Sequence, residues 1–267
     1  MNSRSEQSKK IALVTGSSTG IGAAIAAKLA ATGAKVILHG RTLSPELSQT
    51  SRQLIDCGRE VKSLACDFTD AAAVATFAES AWDLFGKIDV LVNNAGGDVL
   101  TTERADYTPT QKLDFLYSID CRATFQLSRL LGAKMKDVNS DTGQGSIVNI
   151  GWDQAFQGME GDSGEMFSAI KGSVMSMTLS LAQTLAPQVR VNCVAPGWIK
   201  TQWGEQASEY WENRAKSESL MERWGTPDDV ADAVSFLASE QASFISGQIL
   251  NVNGGFRFRQ PSGESPS

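Results

Sequence analysis

Ile11-Ala12-Leu13-Val14-Thr15-Gly16-Ser17-Ser18-Thr19-Gly20-Ile21-Gly22 is the stretch on which the fold class turns. It begins as a short aliphatic run of strand character and ends in a glycine-rich turn that opens an Ala-rich segment, Ile21–Ala31. Glycines at a strand-to-helix turn let the backbone approach a pyrophosphate closely. The helix start then offers the anion unpaired N–H groups and the positive end of its dipole. The spacing is GxxxGxG rather than GxGxxG, so this stretch alone leaves both a phosphate cradle and a plain glycine turn open.

Outward from it the alternation repeats. Further strand candidates are Lys35–His39, Val61–Cys66, Ile88–Val92, Ser146–Ile150, Val189–Val194 and Gln248–Val252. Several are apolar throughout, as strands covered on both faces are. Gly164–Leu185 carries Phe167, Ile170, Val174, Met177, Leu181 and Leu185 at helical spacing. Such alternation predicts an α/β fold with a parallel sheet, right-handed crossovers and helices on both faces. Residues 10–256 are read as one domain, with disordered tails at 1–9 and 257–267. The stretch Trp198–Trp224 fits the alternation poorly and holds Trp198, Trp203, Trp211 and Trp224. Its place after a strand's carboxyl end suits a ligand-covering lid.

Charge and composition exclude other classes. With 24 basic against 30 acidic residues the net charge is −6, which argues against nucleic-acid or anionic-membrane partners. No apolar run approaches a membrane span, and Met1–Lys10 lacks the apolar stretch of a signal peptide. Cys57, Cys66, Cys121 and Cys193 are scattered, and His39 is the single histidine. No metal site or disulfide framework is expected, and the expected setting is the reducing cytoplasm. The tyrosines are three, Tyr107, Tyr117 and Tyr210, so proton donors for neutral-pH chemistry are few.

Chemically apt residues fall at the other strand ends. Asp67-Phe68 follows the third strand, where the Asp can meet an adenine and the Phe can pack on it. Asn93-Asn94-Ala95-Gly96 follows the fourth and Pro196-Gly197-Trp198-Ile199-Lys200-Thr201 the sixth, at the crevice where open α/β sheets bind ligands. With Gly247 and Asn253-Gly254-Gly255 near the end, these motifs in this order resemble the short-chain dehydrogenase/reductase family, classical type, from about Lys9 to Phe256. The resemblance implies a Rossmann-like doubly wound parallel sheet of about seven strands, a nicotinamide cofactor and a homotetramer or homodimer. It assigns cofactor contacts to Gly16, Ser18, Gly20, Ile21, Gly22, Asp67, Phe68, Asn94, Ala95, Gly96, Lys171, Pro196, Gly197, Ile199 and Thr201.

The end of the second strand reads His39-Gly40-Arg41. An NAD site wants an acid there for the ribose hydroxyls; here there is none, and Arg41 suits a 2′-phosphate. NADP(H) is therefore expected over NAD(H).

Active relatives implied by the resemblance carry Tyr-x-x-x-Lys on one helix, a Ser just past the fifth strand and an Asn on the helix after the fourth. This chain has Phe167 four residues before Lys171, Trp152 at the Ser position and Asp120 at the Asn position. A phenyl ring has no proton to give. Either the acid has moved, with Asp153 the preferred candidate beside Asp162, Glu165 and Tyr210, or the chain binds NADP(H) without turnover. In the second case it is a silent module or the partner of an active subunit, with Asp120 and Lys171 as an ion pair. In the first, the substrate is a small carbonyl compound or alcohol.

Overall fold

A computed structural model describes residues 9–101, 103–139, 145–205 and 207–257. In chain order the elements are β1 (Ile11–Val14), α1 (Gly20–Ala31), β2 (Lys35–Gly40), α2 (Pro45–Asp56), β3 (Val61–Ala65), α3 (Ala71–Asp83), β4 (Val90–Asn93) and α4 (Pro109–Leu116). They continue as α5 (Thr124–Val138), β5 (Gly145–Ile150), α6 (Asp162–Leu185), β6 (Val189–Pro196), α7 (Gln202–Glu205), α8 (Glu209–Glu218), α9 (Pro227–Ala238) and β7 (Ile249–Val252). The strands form one seven-stranded sheet in the order β3-β2-β1-β4-β5-β6-β7, and every pairing is parallel. This is the Rossmann-like sheet that the resemblance implied, with strand ends displaced by one or two residues.

The pleat explains why the strands are apolar throughout. Ala12 and Val14 of β1 enter a core with Ile25 and Leu29 of α1 and Val230 and Val234 of α9. Ile11 and Leu13 point the other way, into a core with Phe77 of α3, Leu127 of α5 and Leu181 of α6. Both faces are therefore covered, and only the strand ends are left to meet a ligand.

The reversal of strand order lies between β1 and β4, so the crevice opens over their carboxyl ends. Between α4 and α5 the helix widens into a π-helical stretch, Tyr117–Ala123. Residues 1–8 and 258–267 of the expected tails lie outside the described residues. Within the expected C-terminal tail, Arg257 is described: its N–H donates to Glu218 O at 2.7 Å and its guanidinium pairs with Glu222 at 3.0 Å. Among the described residues no helix is long and apolar enough to cross a membrane, and no cluster of His, Cys, Asp or Glu is placed to hold a metal.

Candidate active site

The glycine turn is held by polar contacts from three strands. Thr15 Oγ1 accepts from the N–H groups of Asn94 and Ala95 at 2.9 and 3.0 Å. Asn94 Nδ2 donates to Thr15 O at 3.0 Å and Gly16 O at 2.9 Å. Gly16 N–H donates to His39 Nδ1 at 3.1 Å, and His39 Nε2 lies 3.0 Å from Cys66 O. An imidazole that accepts at Nδ1 and meets a carbonyl at Nε2 is the neutral Nε2–H tautomer. Burial enforces neutrality, lowering the His39 pKa to about 4 against a smaller opposing pull from the Cys66 carbonyl. His39 is thus a brace for the turn.

The turn tolerates no side chain at two positions. A Cβ on Gly22 would lie 2.1 Å from Gly16 O and 2.5 Å from Asn94 Nδ2; one on Gly16, whose φ is +62°, would lie 2.7 Å from Ala95 Cα. The N-cap of α1, Thr19, makes no side-chain cap and the first turn carries no acid. Its N–H groups therefore face the crevice without an internal anion, which fits a pyrophosphate.

Two cavities adjoin this turn. The smaller, about 310 Å³, is lined by Gly16, Arg41, Asp67, Phe68, Ala95 and Gly96 among others. A Cβ at Gly40 would sit 2.7 Å from Ser18 Oγ and 3.0 Å from Thr42 O, so a side chain before Arg41 would require these neighbours to shift. Burial works to raise the Asp67 carboxyl, but the Thr69 N–H and hydroxyl with Arg41 and Arg104 nearby outweigh it and hold it below its ordinary value. Phe68 is buried and stacks on His39 at 4.1 Å, so it floors this cavity from within the core instead of standing free to cover a ring. Arg104, which the sequence did not single out, also lines it, its guanidinium 4.4 Å over Phe115.

The larger cavity, about 570 Å³, is lined by Gly16, Ile21, Gly22, Asn94, Gly96, Asp120, Trp152, Phe167, Lys171, Pro196, Gly197, Ile199 and Thr201 from the sequence expectation. Ser18 and Gly20 line neither cavity; Ser18 O instead accepts from Thr50 Oγ1 at 2.8 Å, tying the turn to α2. Lys171 Nζ lies 2.8 Å from Asp120 Oδ1, and Asp120 Oδ2 accepts from Gly97 N–H at 2.8 Å. The π-helical stretch carries Asp120 to this meeting point. Phe167, one turn before Lys171 on α6, packs edge-to-face on Trp152 with centroids 6.2 Å apart.

None of the relocated-acid candidates lines this cavity. Asp153 begins a 3-10 turn that carries its side chain into the protein. There Oδ2 accepts from Asn253 Nδ2 at 3.0 Å and Oδ1 is enclosed without a partner. Burial pushes its pKa up to about 6, against the Asn253 bond and with help from Glu218, but the carboxyl lies behind Gly197 and is not itself part of the cavity lining. Asp162 and Glu165 are exposed in the first turn of α6. Tyr210 is also exposed, and its hydroxyl lies 3.3 Å from Arg214 Nη1.

The segment after β6 forms α7 and α8 and brings Trp198, Trp211 and Trp224 to the cavity. Arg214 is their anchor. Its Nε donates to Glu218 at 2.8 Å, its two terminal nitrogens to Glu160 at 2.7 and 3.1 Å, and its plane lies 5.4 Å from the Trp211 ring. Trp198 Nε1 donates to the other Glu218 oxygen at 2.9 Å.

The sequence matches the Enoyl-(Acyl carrier protein) reductase family over residues 16–257. It is 34% identical to a 2-dehydro-3-deoxy-D-gluconate 5-dehydrogenase of Pseudoalteromonas atlantica, over 94% of this chain and 96% of the relative. A 3-oxoacyl (acyl-carrier-protein) reductase from Agrobacterium tumefaciens, solved with NADP bound, superposes with TM-score 0.81 at 31% identity, over 92% of this chain and 93% of that one. A 3-ketoacyl-(acyl-carrier-protein) reductase from Brucella melitensis, complexed with NADH, gives TM-score 0.81 at 30% identity over 92% and 97%. Fold, turn and relatives agree: the chain belongs to the short-chain dehydrogenase/reductase family, whose members named here are oxidoreductases.

Proposed function

We propose that this chain binds NADP(H), in preference to NAD(H), across the two cavities and acts on a carbonyl or alcohol substrate without a hydroxyl acid. The observation that carries this reading is Phe167 beside Lys171 in the larger cavity, packed on Trp152 where a Tyr and a Ser would otherwise stand. When bound, the nicotinamide supplies hydride exchange. The Gly16–Gly22 turn and the start of α1 hold the pyrophosphate, and Arg41 meets the 2′-phosphate. Asp120 fixes Lys171, whose ammonium is the ionisable N–H donor among the lining residues and the proton source left to the substrate oxygen. Residues 198–224 cover the cavity as a lid, the assembly is a homodimer or homotetramer, and the setting is cytoplasmic.

Fluorescence titration should show NADPH binding more tightly than NADH, and Arg41→Ala should erase the difference; equal wild-type affinities would defeat the Arg41 assignment. General acid help is typically worth ~10²–10⁴ in rate. Phe167→Tyr should therefore raise NADPH consumption against a carbonyl panel by about that range. A wild type already fast, and slowed by the change, would overturn the acid-free site. The paired Lys171 and the ring-filled acid position also favour a second reading, a silent NADP(H) module or partner of an active homologue. Cofactor binding with no consumption in wild type or Phe167→Tyr would select it.

A further inference from the structure

Five rings line the larger cavity: Trp152 and Phe167 from the β5–α6 side of the chain, and Trp198, Trp211 and Trp224 from the segment after β6. Its ionisable lining residues are Asp120 and Lys171, and these neutralise each other at 2.8 Å. Arg214, in the segment after β6, is shared by Glu218 and Glu160 and does not line the cavity. Among the described residues, a carboxylate entering this space would lose its hydration and find no unpaired cation in the lining, which is costly. A planar ring would find aromatic edges and faces, and a neutral carbonyl would find the Lys171 ammonium.

From this charge balance and this lining we infer that the cavity takes a neutral carbonyl compound or alcohol bearing an aromatic ring, and rejects sugar acids and other carboxylates. The inference rests on the larger cavity being the substrate site of the proposed oxidoreductase, and it departs from the acid named for the gluconate dehydrogenase relative.

Calorimetry on the full chain saturated with NADPH, whose nicotinamide ring is uncharged, should give acetophenone at least a tenfold lower Kd than 4-acetylbenzoate, and no measurable heat with 5-keto-D-gluconate. Trp211→Ala should weaken acetophenone about tenfold. Leu100 lines the cavity and is 42% exposed, so Leu100→Arg adds a cation at the rim without disturbing the core. That variant should bind 4-acetylbenzoate at least tenfold better than wild type. Equal or tighter wild-type binding of either acid, or no binding of acetophenone, overturns the inference. Cofactor binding is read separately from NADPH fluorescence, so its loss counts against the cofactor reading and leaves the ring preference to be judged in the cofactor-free protein.

Discussion

Around Gly16 and Gly22 the crevice wall is backbone held at close quarters, whereas around Trp198 and Arg214 it is large side chains and buried charge. The first region is fixed by clearances: Asn94, Thr15 and a neutral His39 bind the turn, and a single methyl group would collide with it. The second is fixed by compensation, because Arg214 and Glu218 are 7% and 6% exposed and each needs the other. One half is rigid because nothing more fits. The other is ordered because nothing in it is removed without leaving a charge or a ring uncovered. The two walls of one crevice are thus held by different means.

Cutting the second region should have the largest effect. Arg214→Ala leaves the Glu218 carboxylate buried with Trp198 Nε1–H as its remaining side-chain partner. Removing one member of a buried pair costs about 3–5 kcal/mol. Urea unfolding followed by tryptophan fluorescence should show a loss of that order. Adding Glu218→Gln should restore part of it, because an amide oxygen can still accept from Trp198. A loss below about 1 kcal/mol would show that this segment is not held by compensation and that the pair behaves as a surface one.

Methyl insertion tests the first region. Gly22→Ala forces a Cβ toward Gly16 O, and overpacking of this kind costs about 1–3 kcal/mol. The larger consequence is functional: the turn must open, and NADPH affinity should fall about 100-fold, close to 3 kcal/mol. Gly33→Ala is a useful control, since nothing lies within 4 Å of its Cβ and its φ is +95°. It should cost stability through backbone strain and leave NADPH affinity unchanged. Unchanged NADPH binding in Gly22→Ala would remove the turn from the proposed cofactor site.

How much of this was legible follows the same division. The glycine turn could be read because its demand is local: a strand, a tight turn and a helix start occupy consecutive residues. The placing of Phe167 on the same helix face as Lys171 was also legible, since four-residue helical spacing is a sequence property. The brace role of His39 was not, because it depends on Gly16 and Cys66 arriving from neighbouring strands. Nor was the Arg214–Glu218 staple: an i,i+4 pair reads as an ordinary exposed helix pair until the tryptophans cover it. The partner of Asp153 was not legible either, since a 3-10 turn carries its side chain to Asn253, 100 residues away in sequence. Asp120 reaches Lys171 on a π-helical stretch that no periodicity announced.

The smallest effect separates the two regions by pH. His39, in the first, has its pKa lowered from 6.5 to about 4, so its contribution is full above pH 6.5 and lost as the pH falls toward 4. Asp153, behind the second, has its pKa raised from 3.8 to about 6, so its contribution is full below pH 3.8 and lost as the pH rises through 6. Between pH 4 and 6 the two oppose, each with a slope of up to about 1.4 kcal/mol per unit. Asp153→Asn removes one side and keeps an acceptor for Asn253. Relative to wild type the variant should gain about 2 kcal/mol at pH 8, where the buried carboxylate is charged, and lose that advantage steadily from pH 6 to 4. Urea midpoints at pH 4.5, 5.5, 7 and 8 supply the comparison. Parallel wild-type and variant profiles would show that Asp153 titrates as an ordinary surface acid and that the enclosed Oδ1 reaches water.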